Sequence, residues 1–211
     1  MAIAGATETT RERLVGDLAA RAGKLGVQTH RLADLDALAG LVVELVADGG
    51  PAAFAPTDGA GWRAIVAPAA EAAHPGLAAR LTARGVALTT ADAANPEGAS
   101  VGVAVGLSLA RNGIAETGSL LVTDTLTDRL VRMLAPKHVM LLDVRDILPS
   151  LDEAGGHLRE LIAAGPDGPG RYISFITGPS RTADIEMSLT VGAHGPAEVH
   201  LAILSATTDA R

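Results

Sequence analysis

Two short loops hold most of the residues that could bind or transform a ligand. The first, Thr177-Gly-Pro-Ser-Arg-Thr182, follows the apolar segment 172–176 and places three hydroxyl groups around one arginine. The pattern predicts a strand, a tight loop and a helix from Ala183, and the helix N-terminus and its dipole would favour an anion. The predicted anion-binding residues are Thr177, Gly178, Ser180, Arg181, Thr182, Asp184 and Glu186.

The same loop also has a purely structural interpretation. Ser180 or Thr182 can cap the helix, Gly178 can make the turn, and Arg181 can pair with Asp184 three residues later. The coincidence of these residues in one loop favours the ligand site. The loop lacks the glycine spacing and lysine of a P-loop and the dinucleotide fingerprint, so no nucleoside triphosphate or nicotinamide cofactor is expected.

The second loop, 112–119, precedes an apolar strand and brings a carboxylate together with two hydroxyl groups and two glycines. Glu116 can act there as a base or nucleophile, while Thr117, Gly118 and Ser119 receive an oxyanion or another anionic group. The alternative is a glycine turn with Glu116 as a solvated acid. Spacing alone slightly favours this alternative.

Histidines are further candidates for ligand contacts. His138 begins an apolar strand, and His194 and His200 flank Glu198. These residues have no helical i, i+4 spacing, so His194 and His200 are interpreted as core or rim residues and no metal site is predicted. His138 and His194 remain additional candidates for the ligand site.

Hydrophobic periodicity predicts alternating helices and strands around these loops. Helices are predicted at 11–25, 35–46, 75–85, 126–134 and 151–162, and strands at 52–55, 86–88, 101–105, 120–122, 139–142, 172–176 and 199–204. The alternation favours parallel pairing, and the continuous apolar strands suit a sheet covered on both faces. We expect one structural domain, with a helical segment 1–50 packing on an α/β domain 51–211.

Composition narrows the function classes. Of 211 residues, 48% are apolar and 19% charged, which suits a large core. A net charge of −7 and an aromatic content of 2% argue against a nucleic-acid partner. The lack of cysteine excludes disulfides and any iron–sulfur cluster held by thiolates of this chain. Without a leader pattern or a long apolar run, we expect a cytoplasmic protein with no membrane span.

Several ordered motifs resemble the lactate-utilization (LUD) domain family. Residues 177–186, 191–196 and 198–200 resemble the C-terminal signature of that family, and residues 114–119 resemble its central motif. Pro136 with His138-Val139 is similar to the strand that follows. The resemblance implies a three-layer α/β/α fold with a mainly parallel sheet, as in glucosamine-phosphate deaminases, ribose-phosphate isomerases and CoA transferases, with ligands bound at loops that follow parallel strands.

The resemblance also implies a role in oxidising L-lactate to pyruvate as one subunit beside iron–sulfur partner proteins. The chain would bind no cofactor itself, only a small carboxylate or phosphate-bearing ligand. Two other functions are consistent with the sequence: a stand-alone enzyme of acyl, CoA or sugar-phosphate chemistry with Glu116 catalytic, and a non-catalytic regulatory or structural partner. The testable geometry is that Arg181, Ser180 and Glu116 face a common cleft.

Overall fold

The computed structural model describes residues 7–57, 59, 61–91, 94–95, 100–163, 172–183, 189–191 and 195–205. Two single 3-10 turns, Ala52–Phe54 and Val144–Asp146, accompany the regular elements. In chain order these are α1 (Glu8–Lys24), β1 (Val27–Leu32), α2 (Leu35–Ala47), β2 (Arg63–Val66), α3 (Pro68–Ala73), α4 (Leu77–Ala83), β3 (Ala87–Thr89), β4 (Val103–Leu109), β5 (Asn112–Ile114), β6 (Ser119–Asp124), α5 (Leu126–Leu134), β7 (Lys137–Asp143), β8 (Ile147–Leu148), α6 (Leu151–Ala163), β9 (Tyr172–Ile176), β10 (Arg181–Ala183), β11 (Leu189–Val191) and β12 (Glu198–Leu204).

A six-stranded sheet in the order β1-β12-β7-β4-β2-β3 forms the centre of the fold. Every neighbouring pair in it is parallel. All seven residues of β7 are buried, and so are six of the seven in β4, because both faces of the sheet are covered. The prediction of an α/β fold with a mainly parallel sheet is confirmed.

The two faces of this sheet are covered differently. On one face Leu38 of α2 and Leu77 of α4 belong to a buried cluster with Val105 and Val139 of the sheet. On the other face, Leu18 of α1 joins a second cluster that also contains residues of β6, β7 and β12. There β6 belongs to a four-stranded sheet in the order β8-β5-β6-β9. One outer layer is therefore helical, and the other combines a helix with a small sheet.

Three predicted elements differ from the structure. The segment 1–50 is not only helical, because β1 lies within it and pairs with β12 along the central sheet. The predicted strand 52–55 is a 3-10 turn flanked by Pro51 and Pro56, neither of which can donate to a sheet ladder. The predicted helix from Ala183 is wrong: β10 and β11 pair as an antiparallel hairpin, in keeping with the strand preference of Thr182, Thr190 and Val191.

Among the described residues, no helix combines the length and the apolar character needed to cross a membrane.

Candidate functional site

A cavity of about 250 Å³ lies at the amino-terminal edge of the central sheet. Its floor includes His138 and Val199, which are paired in register as the second residues of β7 and β12. Helix α5 and strand β9 form other parts of its wall. We call it the amino-edge cavity; its described lining consists of Arg129, Arg132, Met133, His138, Met140, Ser174, Ile176, Gly178, Ser180, Gly195, Pro196 and Val199.

Helix α5 brings two arginines to this cavity. The helix begins with a capping box in which Thr125 and Asp128 satisfy each other's backbone N–H groups. Arg129 and Arg132 follow three residues apart, so they lie on the same side of the helix. The Arg129 guanidinium lies 4.9 Å from the centre of the Tyr172 ring, a cation–π contact between α5 and β9.

Arg132 forms a buried ion pair with Asp124, the last residue of β6. Its Nη2 donates to Asp124 Oδ2, and the two side chains are 8% and 3% exposed. Burial raises the pKa of the Asp124 carboxyl, while Arg132 beside it acts in the opposite direction. The pair therefore places the guanidinium of Arg132 at the cavity. Burial acts against the ionised form of Asp124, and the positive charge of Arg132 favours it.

The second amino group of this guanidinium has no acceptor among the residues that the structure describes. Arg132 Nη1 is buried and lacks a hydrogen-bond partner among the described residues. An unpaired buried donor of a charged group costs at least about 1–3 kcal/mol, and native proteins rarely leave one unsatisfied. Since Arg132 lines the cavity, an oxygen atom of a bound ligand is a suitable acceptor.

His138 is the most deeply buried polar residue at the cavity. Its side chain is fully buried, and its Nε2 lies 2.7 Å from the Ser108 hydroxyl of β4. Burial lowers the pKa of His138 to about 3, with further contributions from the positive charge of Arg132 and from His200, so the imidazole is neutral near neutral pH. Its Nδ1 has no hydrogen-bond partner among the described residues.

The predicted loop 177–182 contributes to the cavity, but through a different structure from the one predicted. Gly178 and Ser180 line the amino-edge cavity, and the Ser180 N–H donates to Pro196 O at 3.1 Å. Thr177 reaches instead to Ser119, with 2.9 Å between the hydroxyl oxygens. No helix N-terminus is present at this loop, because β10 begins at Arg181.

Arg181 is exposed, does not line the cavity, and reaches the end of α1. Its Nη2 donates to the Leu25 carbonyl at 2.8 Å, where a cation complements the negative end of the helix dipole. Gly178 has a φ of 97°, and a Cβ there would lie 2.6 Å from the same carbonyl oxygen. The loop is thus docked on α1 through Arg181 and Gly178.

Glu116 lies at a separate place on the surface. Its Oε2 accepts a hydrogen bond of 2.8 Å from the N–H of Leu151, the first residue of α6. It lines a different cavity, together with Arg13, Arg21 and Ser150. The predicted common cleft is not formed: Ser180 lines the amino-edge cavity, and neither Arg181 nor Glu116 does.

The residues next to Glu116 pack against α1. Gly118 has a φ of 74°, and a Cβ there would lie 2.6 Å from the Ala22 nitrogen, so only glycine fits. Thr117 Oγ1 accepts a hydrogen bond of 3.3 Å from the Ser119 N–H. Asp184, Glu186 and His194 lie outside the described residues, and Thr182 is placed only as part of β10.

Sequence reasoning did not find Arg132, Asp124, Arg129 or Ser108. The sequence contained a signal for Arg132, Asp124 and Arg129. A capping box follows Asp124, the two arginines come next at helical spacing, and the helix that holds them lies directly before a strand. Ser108 has no comparable signal, because it is one residue within an apolar strand and its role depends on which side chain the neighbouring strand places beside it.

His200 lies in the core, as its place in an apolar strand predicted. Its side chain is 2% exposed, and its Nδ1 lies 3.1 Å from Nε2 of His30. Burial is also the largest cause that lowers the pKa of His200 to about 4. Within the described part of the chain, no three His, Asp or Glu side chains are grouped so as to hold a metal ion.

The fold and the cavity define a class: an α/β protein with a small pocket of mixed polar and apolar lining at the amino-terminal edge of a parallel sheet. Within this class the LUD domain model matches residues 16–204. The chain therefore belongs to the LUD domain family. A crystal structure of a DUF162 family protein from Deinococcus radiodurans shares the fold, with a TM-score of 0.59 and 15% sequence identity over 92% of this chain and 98% of that chain.

Curated relatives carry the name lactate utilization protein C. The protein from Bacillus subtilis is 33% identical over 102 residues, which are 48% of this chain and 42% of the relative. The proteins from Geobacillus thermodenitrificans and Geobacillus sp. are 34% and 37% identical over 93 residues, 44% of this chain and 38% of each relative. The match thus spans less than half the length of these relatives.

Proposed function

We propose that this chain is a cytoplasmic component of a lactate utilization system and binds a small carboxylate in the amino-edge cavity. Membership of the LUD domain family and the names of the relatives support the lactate role. The unpartnered Arg132 Nη1 at the cavity supports the ligand class. The chain contains no cysteine, so the proposal places the iron–sulfur clusters that accept the electrons in partner proteins.

The size of the cavity suits a small ligand. Its volume of about 250 Å³ is below the range of roughly 300–1,000 Å³ that is typical for drug-sized molecules. The apolar side chains of Met140, Ile176 and Val199 line part of the wall. A three-carbon carboxylate such as lactate or pyruvate offers one charged end and one short apolar end, which matches this division.

Arg132 would hold the carboxylate. A ligand oxygen at Nη1 would complete the guanidinium while Nη2 stays with Asp124, so two acceptors would share one cation. Arg129 would supply the second positive charge at the same wall. His138 is neutral and would contribute a hydrogen bond rather than a charge to the 2-hydroxyl or 2-oxo group.

Titration of the purified chain with L-lactate and pyruvate, followed by NMR or calorimetry, tests the binding step. We expect saturable binding that Arg129→Gln weakens by about threefold to tenfold, because one of two cations is removed at a half-buried position. Arg13→Gln on the exposed face of α1 is the matched control and should leave the affinity unchanged. Equal affinities for wild type and Arg129→Gln would contradict the proposed site.

The partnership needs a separate test. Candidate iron–sulfur partner proteins would be expressed with this chain and without it, and lactate oxidation would be followed with an artificial electron acceptor. We expect the rate to fall when the chain is omitted and to return when purified chain is added. Oxidation at the same rate without the chain would exclude the role as a subunit, even if carboxylate binding were confirmed.

A further inference from the structure

A second and larger cavity lies at the opposite edge of the central sheet. It has a volume of about 560 Å³ and is lined by Leu109 and Asp143, the last residues of β4 and β7. Residues at the end of α3 and on α6 close it from the sides. In open α/β sheets ligands commonly bind outside the carboxyl ends of the strands. We call it the carboxyl-edge cavity.

Asn112 gives this cavity a buried acceptor to which none of the described residues donates. The side chain is 3% exposed, and its Nδ2 donates to Asp146 O at 3.2 Å, which fixes the orientation of the amide. Its Oδ1 is buried and has no hydrogen-bond partner among the described residues. A buried carbonyl oxygen without a donor is unfavourable, so a donor supplied from the cavity that Asn112 lines would stabilise it.

Four charged side chains line the same cavity: Arg111, Asp143, Asp146 and Glu160. Arg111 and Glu160 are both exposed, and neither side chain has a hydrogen bond or ion pair to another described residue. Asp143, by contrast, is engaged by Arg145, whose Nε donates to its Oδ1 at 2.9 Å. Asp146 is likewise engaged in an interaction of its own. The available pair is therefore Arg111 and Glu160, one cation and one anion, which is complementary to a zwitterion rather than to a simple anion.

Part of the remaining wall is apolar, and His74 and His157 also line the cavity. Ala72 and Ala73 at the end of α3, with Leu109 and Ala110, present small aliphatic side chains to the cavity. These residues leave space and offer no polar group to a ligand side chain. An aliphatic substituent would bury its surface there, which is favourable because apolar surface is removed from water.

We propose that the carboxyl-edge cavity binds an aliphatic α-amino acid. The ammonium group donates to Asn112 Oδ1 and is neutralised by Glu160, the carboxylate is held by Arg111, and the side chain packs on the alanines of α3. This site is separate from the amino-edge cavity, and its assignment does not depend on the lactate role.

Titration with L-leucine and with its 2-hydroxy analogue separates an ammonium site from a general carboxylate site. The two molecules differ only in the group that meets Asn112 and Glu160. We expect saturable binding of L-leucine, followed by NMR shifts of residues on β5 and α6, and at least about tenfold weaker binding of the hydroxy acid. Equal binding of the two, or no saturable binding of L-leucine, would overturn the proposal.

Variants locate the site within the chain. Glu160→Gln is an exposed substitution on α6 that should leave the fold intact and weaken L-leucine binding by about threefold to tenfold. Glu153→Gln on the same helix is the matched control and should bind normally. Asn112→Leu should abolish binding, and its thermal unfolding would be measured in parallel. Unchanged binding in Glu160→Gln would contradict the site, whatever the behaviour of Asn112→Leu.

Discussion

The two cavities at opposite edges of the central sheet place their polar groups differently. Around the amino-edge cavity Arg132, Asp124, His138 and Ser108 are all at most 8% exposed. Around the carboxyl-edge cavity Arg111 and Glu160 are exposed, and the buried Asp143 is paired with Arg145. Asn112 is also buried there, and its Oδ1 has no hydrogen-bond partner among the described residues. The amino-edge cavity is therefore built into the core, while the carboxyl-edge cavity lies at its boundary.

This difference predicts how tightly each cavity is coupled to folding. Charges that are removed from water depend on their partners, so a change at the amino edge should affect stability strongly. Charges in contact with water are screened, so changes at the carboxyl edge should affect binding with little effect on stability. The two edges should therefore differ most in how strongly a substitution changes the free energy of unfolding.

Loss of the buried ion pair should have the largest effect. Arg132→Met leaves Asp124 buried without its cation, and we expect the free energy of unfolding to fall by about 3–5 kcal/mol. Urea unfolding followed by circular dichroism measures this. The double variant Asp124→Leu with Arg132→Met removes both charges and should recover most of the loss. A double variant as unstable as the single one would show that the charges are not the cause.

Acid should destabilise the amino edge through His138. Because the pKa of this residue falls from 6.5 to about 3 on folding, the unfolded chain binds the proton more readily. The associated stability is present above about pH 6.5 and is lost as the pH falls toward about 3, with a loss of about 2 kcal/mol by about pH 5. Burial raises the pKa of Asp124, which acts in the opposite sense.

Urea midpoints measured from about pH 7 to about pH 4.5 test this dependence. His200 contributes in the same direction, since its pKa is lowered to about 4. The variant His138→Gln should therefore have a shallower slope that retains the His200 contribution. A slope unchanged by His138→Gln would exclude His138 as the source.

The sequence predicted four of the six strands of the central sheet and most helices, because these depend on local apolar patterns, but it missed β1 and β2. The helix predicted at 126–134 is α5, and the strand predicted at 172–176 is β9. Strand β1 was missed because its residues alternate imperfectly: Val27 is buried, but His30 and Arg31 interrupt the pattern. Its place in the sheet depends on pairing with β12, which lies about 170 residues later in the chain.

The site was only partly predictable for the same reason. Gly178, Ser180 and His138 were identified from their motifs and line the amino-edge cavity. The grouping of Glu116 with Arg181 failed because glycines at 118 and 178 dock their loops on different parts of α1 and the residue after it. Short glycine-containing motifs indicate that a loop has a fixed conformation. Which of its side chains face the cavity depends on where the loop packs against α1.

Glycine substitutions should show the same contrast between the edges at intermediate magnitude. A Cβ on Gly106 of β4 would lie 2.8 Å from Val131 O, 2.9 Å from the Ala135 Cβ and 3.1 Å from His138 Nδ1. We expect Gly106→Ala to lower the free energy of unfolding by about 1–3 kcal/mol through overpacking. Gly156 of α6 has open space around it, so Gly156→Ala should raise stability by about 0.5–1 kcal/mol. Thermal unfolding of both variants measures the difference, and similar effects would contradict it.

The smallest predicted change in stability concerns Arg181, which lies just outside the amino-edge cavity. Arg181 donates to the Leu25 carbonyl at the end of α1 and does not line the cavity, so Arg181→Ala should lower stability by only about 0.5–1 kcal/mol. Pyruvate affinity should stay at the wild-type value, in contrast to Arg129→Gln, and calorimetric titration of both variants measures it. The contrary result would be that Arg181→Ala weakens pyruvate binding as strongly as Arg129→Gln. That result would show that the anion site includes Arg181, as the sequence predicted, and does not end at Ser180.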